Sequence, residues 1–176
     1  SKRFKLVIIL NTILILPILL VDWYALPLFF KEEFGFESSQ ILIALSVTWF
    51  VYAIATPYAG KLFDKYGLKI FTIALILIGI TSLWLAFINS ALVFISILIL
   101  DYIFFSLSDV GRFALQAIVS EKSRGMLMSL FVLPGSIISS LLFFSAGKLI
   151  AVFGFDLLFV FRSIIHFLAI GIVLLL

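Results

Sequence analysis

Gly60-Lys61-Leu62-Phe63-Asp64-Lys65-Tyr66-Gly67-Leu68-Lys69 interrupts two long apolar runs, one on each side of it. Gly60 permits close packing where a helix ends, and Gly67 supplies a residue for which a turn carries no side-chain penalty. Asp64 is expected near the start of the following helix, where the helix dipole favours a carboxylate. Three lysines keep the turn in water. The flanking runs, about 39–60 and 69–88, each approach the roughly 20 apolar residues that a bilayer span needs. The stretch therefore reads as the polar turn of a membrane-spanning hairpin.

The rest of the chain repeats this pattern. Its 176 residues are 65% hydrophobic and only 12% charged, with a mean hydropathy of +1.36. A soluble domain carries about 45–50% apolar and about 25% charged residues, so a water-soluble globule is excluded. Spans are predicted at about 6–30, 39–60, 69–88, 91–118, 125–150 and 156–176, forming one domain over residues 1–176. The breaks are Lys31 to Glu37, Lys61 to Lys69, Asn89-Ser90, Glu121 to Arg124, and the turn at Gly154. The runs are continuous rather than alternating, which favours helices over a barrel, since a lipid-exposed span must satisfy its own backbone. The apolar stretch from Leu6 is too long for a secretory signal and has no small-residue cleavage site. There are no cysteines and a single histidine, so neither a disulfide scaffold nor a metal site is expected.

Charge sets the orientation. Of twelve basic residues, eight fall on one side: Lys2, Arg3, Lys5, Lys61, Lys65, Lys69, Lys122 and Arg124. Lys31 and Lys148 fall on the other, and Arg112 and Arg162 lie inside spans. The positive-inside rule places the N-terminus and the turns at 61–69 and 121–124 in the cytoplasm of a multi-pass cell-membrane protein. Six spans then bring both ends to that side. Ser1 is not an initiator methionine and Leu176 falls inside an apolar run, so the chain reads as part of a longer one.

The turn at 60–69 resembles the signature loop of the major facilitator superfamily, G-x-L-x-D-[RK]-x-G-[RK]-[RK]. Gly60, Leu62, Asp64, Lys65, Gly67 and Lys69 match, while Leu68 stands where a basic residue is common. In that family the loop helps latch the inward gate, so the resemblance implies a gating role for Asp64. Leu26 to Glu32 with Gly35 resembles the exit of a first span, and Ala114 to Gly125 the passage from the fourth span to the fifth. The resemblance covers nearly the whole chain as one half of a major facilitator fold, an all-α six-helix transmembrane bundle. Members have two such halves with the pathway between them. It therefore implies a second six-helix half, expected in the same polypeptide, the lipid bilayer as surroundings, and a small-molecule substrate. It implies no cofactor beyond a coupling proton and no nucleic acid. Two departures stand out: Asp101 lies where many members carry a basic residue, and Pro134-Gly135 is a remnant of the glycine-rich motif of antiporters, so antiport is not supported.

Gly60-Lys-Leu-Phe-Asp-Lys-Tyr-Gly67 and Gly147-Lys-Leu-Ile-Ala-Val-Phe-Gly154 share a form at an offset of 87 residues, and the same offset carries Asp22 onto Asp109. The two stretches end spans two and five on opposite sides, as an inverted 3+3 repeat requires.

Six ionisable side chains fall within spans: Asp22, Asp101, Asp109, Arg112, Arg162 and His166. A charge near the bilayer centre costs about 2.5–3.5 kcal/mol on insertion scales, so each should face protein or a water-filled cavity and have a partner. Asp101 and Arg112 are eleven residues apart and nearly eclipse on one helical face, while Arg112 is one turn from Asp109. Asn11 and Asp22 are likewise eleven apart, with Pro17 between them expected to kink the first span. In the resembling family the first and fourth helices line the cavity. Asn11, Asp22, Asp101, Asp109 and Arg112 are accordingly the cavity candidates, for proton carriage or substrate contact. A carboxylate paired with Arg112 is held ionised, which makes Asp22 the better proton carrier. The sixth helix usually supports the others from outside the cavity, so Arg162 and His166 read as structural charges.

Most of the 21 phenylalanines read as packing or lipid-facing residues. Tyr24 and Trp84 read as interfacial anchors and Trp49 as bundle packing, with a ligand-stacking platform the lesser reading. Ser136, Ser139, Ser140 and Ser145 read as small-residue helix packing. The leading function is secondary transport of a small solute by alternating access, with proton coupling. Rivals are a non-transporting membrane scaffold and, more remotely, an intramembrane serine protease. The protease would need an activated serine beside His166, and Gly135-Ser136 lacks the second glycine of the expected turn.

Overall fold

The computed structural model describes residues 2–119 and 124–176, and these form helices joined by short turns. The first span is built from three pieces: α1 (Lys2–Pro17), a π-helical segment (Ile18–Ala25) and α2 (Leu26–Glu32). Pro17 has no N–H and its ring crowds the carbonyl one turn back, so the α-register cannot pass through it unchanged. Beyond it the backbone bonds five residues back, as from the Leu26 N–H to the Val21 carbonyl. Pro17 thus shifts the register of the span, and the shifted segment carries Asp22 and Trp23.

The remaining spans are α3 (Ser38–Tyr66), α4 (Leu68–Leu85), α5 (Ala91–Val119), α6 (Arg124–Phe153) and α7 (Asp156–Val173). A reciprocal capping box opens α3, in which the Glu37 N–H donates to Gln40 Oε1 at 2.9 Å. The sequence suggests that α3 stops near residue 60. It runs instead to Tyr66, because Lys61 to Tyr66 all accommodate helix and only Gly67 adopts a positive φ, +56°. Asp64 consequently lies in the last turn of α3, and α4 begins without a side-chain cap. This corrects the expected position of Asp64 near the start of the next helix. α6 is bent by 55° between Val132–Phe143 and Ala146–Phe153, beyond Pro134 rather than at it. Among the described residues, five helical runs are long and apolar enough to cross a membrane, and α6 taken as one bent span makes six.

The helix pairs follow a symmetric scheme. The first span packs on the fifth, as the second packs on the fourth; the third packs on the fourth, as the sixth packs on the first. The first also meets the fourth, and the third meets the sixth. Exchanging each span with the one three later returns the same set of pairs, as an inverted 3+3 repeat requires. The turns after α3 and α6 each hold a positive-φ glycine, Gly67 and Gly154 at +56° and +75°, at the matching places of the repeat.

In cross-section the fifth, first, fourth and second spans form a row, and the third and sixth lie behind it. Two apolar layers close the ends of this bundle. One gathers Leu26, Phe29, Phe30, Phe94 and Phe159, with Phe29 stacked on Phe94 at 4.6 Å. The other gathers Val7, Leu10, Phe71, Leu75 and Val173. In lipid such contacts act through close packing rather than through release of water. α3 buries only Ala44, Thr48 and Ala59, and presents Leu42, Val47, Phe50 and Tyr58 outward.

Close approach of α5 to α4 depends on Gly111, where a Cβ atom would lie 2.6 Å from Cδ2 of the wholly buried Phe71. Replacing Gly111 with valine is expected to lower stability by about 1–3 kcal/mol through overpacking. The midpoint of thermal unfolding in detergent should fall accordingly, and an unchanged midpoint would contradict this packing.

Candidate functional site

Between the two apolar layers the bundle buries polar side chains in two clusters. The first is centred on Arg162 of α7, which is 1% exposed. Its Nη2 lies 2.7 Å from Asp101 Oδ2 of α5 and 3.6 Å from Asp22 Oδ1 of the π-helical segment. Nη1 donates to Ser82 Oγ of α4 at 3.1 Å. The Thr81 hydroxyl donates to the other oxygen of Asp101. The Asp101 contact has the proximity of an ion pair without the alignment of a hydrogen bond, and Arg162 Nε is also unaligned with any acceptor among the described residues. His166 Nδ1 lies 2.7 Å from the Arg162 carbonyl oxygen, and since a carbonyl only accepts, that nitrogen carries the proton. One turn nearer, Ser163 Oγ donates to the Gly79 carbonyl at 2.7 Å, pinning α7 to α4. A single arginine thus joins four spans. Two carboxylates therefore face one guanidinium, all three groups more than nine-tenths buried.

The second cluster is centred on Arg112 of α5. Its Nε donates to Asp109 Oδ1 at 3.0 Å, its Nη2 reaches the same oxygen, and its Nη1 donates to Asn11 Oδ1 of α1 at 3.3 Å. Gln116 Nε2 donates to Asn11 Oδ1 as well. From α3 the Tyr52 hydroxyl donates to Asp109 Oδ2 at 2.6 Å. One carboxylate meets one guanidinium here, so the cluster is balanced in charge.

The expected local pair of Asp109 and Arg112 forms, and Asp22, Asp101, Arg162 and His166 share one layer of the bundle, as their distances from the span ends suggest. Asp101 and Arg112 share a helical face but not a site, because eleven residues of helix separate them by about 16 Å along the axis. Asp101 turns back toward α4 and α7, while Arg112 turns toward α1. Asn11 and Asp22 divide between the two clusters for the same reason. Arg162, read from the sequence as a brace apart from the cavity, is the direct partner of Asp101 and Asp22. His166 Nδ1 bonds to the Arg162 carbonyl, so among the described residues that nitrogen is committed to a carbonyl rather than to a serine hydroxyl.

Tyr52, Thr81, Ser82 and Gln116 were not singled out by sequence reasoning. Gln116 had a signal, since it follows Arg112 by one turn on the same face. Tyr52 had none, being one aromatic among many in α3.

At the other end of the second span, Asp64, Lys65 and Lys69 are exposed, and Lys65 Nζ lies 5.0 Å over the Tyr66 ring. Gly60 and Gly67 are half-buried, and Leu62 is exposed beside them. The companion turn at 121–124 lies outside the described residues except for the backbone of Arg124, where α6 begins. Of the serine cluster, Ser139 is buried and Ser140 bonds back to the Ser136 carbonyl, while the Ser145 side chain lies outside the description. Nearby, Gly135 of α6 lets that helix rest directly on Ile15 of α1.

The model of the Major Facilitator Superfamily matches the chain over residues 9–176. The chain belongs to this superfamily. No solved structure matches it. As a major facilitator chain it is a multi-pass membrane protein of a transporter family, and its bundle has the make-up of half of a major facilitator fold. The two buried clusters occupy the middle of that half, joining its first span to the fourth and sixth.

The Arg162 cluster permits a direct energetic test. Arg162→Met should destabilise the protein by about 3–5 kcal/mol, because it leaves two buried carboxylates without their cation. Adding Asp101→Asn should recover part of that loss, with a coupling of about 0.5–3 kcal/mol in a double-mutant cycle. Unfolding in detergent measures both, and strictly additive effects would contradict the pairing.

Proposed function

We propose that this chain is one six-helix half of a secondary transporter that moves a small solute across the cell membrane by alternating access, coupled to protons. The observation that carries the reading is the charge imbalance around Arg162: Asp22 and Asp101 face one guanidinium in a buried site. An uncompensated charge in a low-dielectric interior is costly, and one proton shared by the two carboxylates restores neutrality. A proton-coupled carrier can use such an arrangement, because the shared proton can be taken up and released. Asp22 is the coupling group in this reading. Asp101 lies nearer to Arg162 and accepts from Thr81, so it is the more firmly held of the two. Asp22 sits at the longer distance, on a π-helical segment whose bonding register is able to change.

The second cluster holds α1, α3 and α5 together in this state of the half. Its substrate-facing candidates are Asn11, Asp109 and Arg112, with Tyr52 added from the structure. Asp64, within the motif Gly60, Leu62, Asp64, Lys65, Gly67 and Lys69, latches the cytoplasmic gate together with the 121–124 turn. The basic residues at that end of the bundle support a cytoplasmic placement of both chain ends. A second half, contributed by the same polypeptide, supplies the opposite wall. No metal or organic cofactor takes part.

Two measurements test these roles. In proteoliposomes of the full-length protein, a panel of sugars, amino acids, organic acids and organic amines is screened for concentrative uptake that an uncoupler collapses. Asp22→Asn is expected to reduce that uptake more than tenfold while downhill exchange persists, and undiminished uphill uptake would remove Asp22 from the role. For the gate, a single cysteine at Val47 on the exposed face of α3, in the full-length protein with every other cysteine replaced, reports accessibility; this chain contributes none of its own. Its labelling by an impermeant maleimide from the outer side should fall severalfold in Asp64→Asn, as the inward-open state gains population. Unchanged labelling would separate Asp64 from gating.

A further inference from the structure

Tyr102 of α5 is 1% exposed, yet its hydroxyl has no aligned hydrogen-bond partner among the described residues. A buried hydroxyl left unbonded forfeits its hydration, so such a group in a packed interior calls for an explanation. Its surroundings supply one. The ring itself is fixed, edge-on to Trp49 of α3 at 5.4 Å and 5.9 Å from Phe105. Trp49 in turn packs on Trp23 of the first span at 6.0 Å. The hydroxyl stands beside Thr48 of α3, and three charges act on it: Asp22 most strongly, then Arg162 and Asp101. It is the meeting point of the second span and the Arg162 cluster.

Thr48 spends its own proton on the Leu45 carbonyl, at 2.8 Å. Toward Tyr102 its oxygen can therefore only accept. The oxygens of Asp101 are engaged by Arg162 and Thr81. Two acceptors then compete for the Tyr102 proton, Thr48 and Asp22, and the charge of Asp22 decides between them. A phenol donating to a protonated carboxyl makes an ordinary neutral bond, whereas a bond to a carboxylate is charge-assisted and roughly twice as strong.

The choice matters to α3. That helix buries only Ala44, Thr48 and Ala59, and Thr48 is the polar member of the three. Without a bond from Tyr102, the Thr48 hydroxyl is tied to its own helix alone. α3 also runs directly into the turn at Gly67, so a change in how it is held reaches the 60–69 motif. The other titratable groups nearby are committed elsewhere: His166 of α7 bonds to the Arg162 carbonyl, and Tyr52 of α3 bonds to Asp109. From α4 the site receives the neutral hydroxyls of Thr81 and Ser82.

We propose that Tyr102 is a positioning residue that reports the protonation of Asp22 to the second span, donating to Thr48 while Asp22 carries the shared proton and to Asp22 once that proton has left. Tyr102 keeps its own proton throughout, and only the direction of donation changes. α3 is held against α5 in the protonated state and freed in the ionised one. The inference rests on the proposed coupling role of Asp22.

The test uses the full-length protein in detergent, with every other cysteine replaced and a single one at Val47, next to Thr48 on the exposed face of α3. Its labelling by a maleimide is measured in mildly acidic and mildly alkaline buffer, each relative to the same protein unfolded at that pH, which cancels the titration of the thiol. The parent is expected to label severalfold faster in the alkaline buffer, and Asp22→Asn equally in both. Tyr102→Phe keeps the ring and removes only the hydroxyl, so it should also label equally in both, as should Thr48→Val. Thr48→Ser retains the acceptor and should keep the parent's response. The thermal midpoint of Tyr102→Phe should be unchanged or raised, since the hydroxyl removed is an unbonded one. A midpoint lowered by several degrees would make the hydroxyl a structural bond and overturn the inference. A pH response that survives Tyr102→Phe or Thr48→Val but not Asp22→Asn would also overturn it, and would leave the proton reading standing. A parent with no pH response, or a response that Asp22→Asn leaves intact, would overturn both.

Discussion

A guanidinium sealed inside a bundle of apolar helices governs this structure. Arg162 is removed from water among residues that offer it no solvation, so the surrounding helices must supply its acceptors. They do so from three directions: Asp101 on α5, Asp22 on the first span and Ser82 on α4. Each acceptor fixes the rotation of its helix, because turning that helix away would leave a charge unpaired in the interior. Apolar packing in lipid is permissive about rotation, since lipid tails are as apolar as leucine. The buried charge supplies the specificity that packing lacks.

Other features of the half are arranged around this constraint. Pro17 forces the π-helical register that carries Asp22, and Ser163 bonds to Gly79 where Phe167 also lies close, so α7 and α4 are drawn tightly together. The inverted pairing of spans puts the first and fourth helices at the centre, each touching the other and each backed by one member of the third and sixth pair. Centrality makes those two helices carry polar side chains in both clusters. The Arg112 cluster is balanced and bonded across α1, α3 and α5, whereas the Arg162 cluster holds one carboxylate more than it has cations. The two differ in charge: the first is a balanced fastening, and the excess carboxylate of the second is what the proposed proton coupling rests on.

Much of this was legible in the chain. Low charge and continuous apolar runs determine the helical membrane class, and the 60–69 turn with its place between spans points to the family. The local pairing of Asp109 with Arg112 follows from helix geometry, because residues three apart meet on one face. Helical periodicity is silent on which neighbouring helix a given face meets. It aligned Asp101 with Arg112 and Asn11 with Asp22, and each pair is divided between separate clusters by its axial distance. The place of Asp64 was misjudged because polar residues in water are as compatible with a helix end as with a turn; only the positive φ of Gly67 marks the boundary.

By itself the sequence determined the solvent of this protein and the number and order of its spans, since these depend on composition and on length against bilayer thickness. It also determined which charges could not be at the surface. Tertiary structure alone decided that Arg162 belongs to Asp101 and Asp22, that Tyr52 reaches Asp109 from α3, and that Trp23 and Trp49 meet across two helices. Those contacts join residues many tens of positions apart. They depend on helix rotation, on the register shift after Pro17 and on which spans become neighbours, and none of these leaves a periodic trace in the chain.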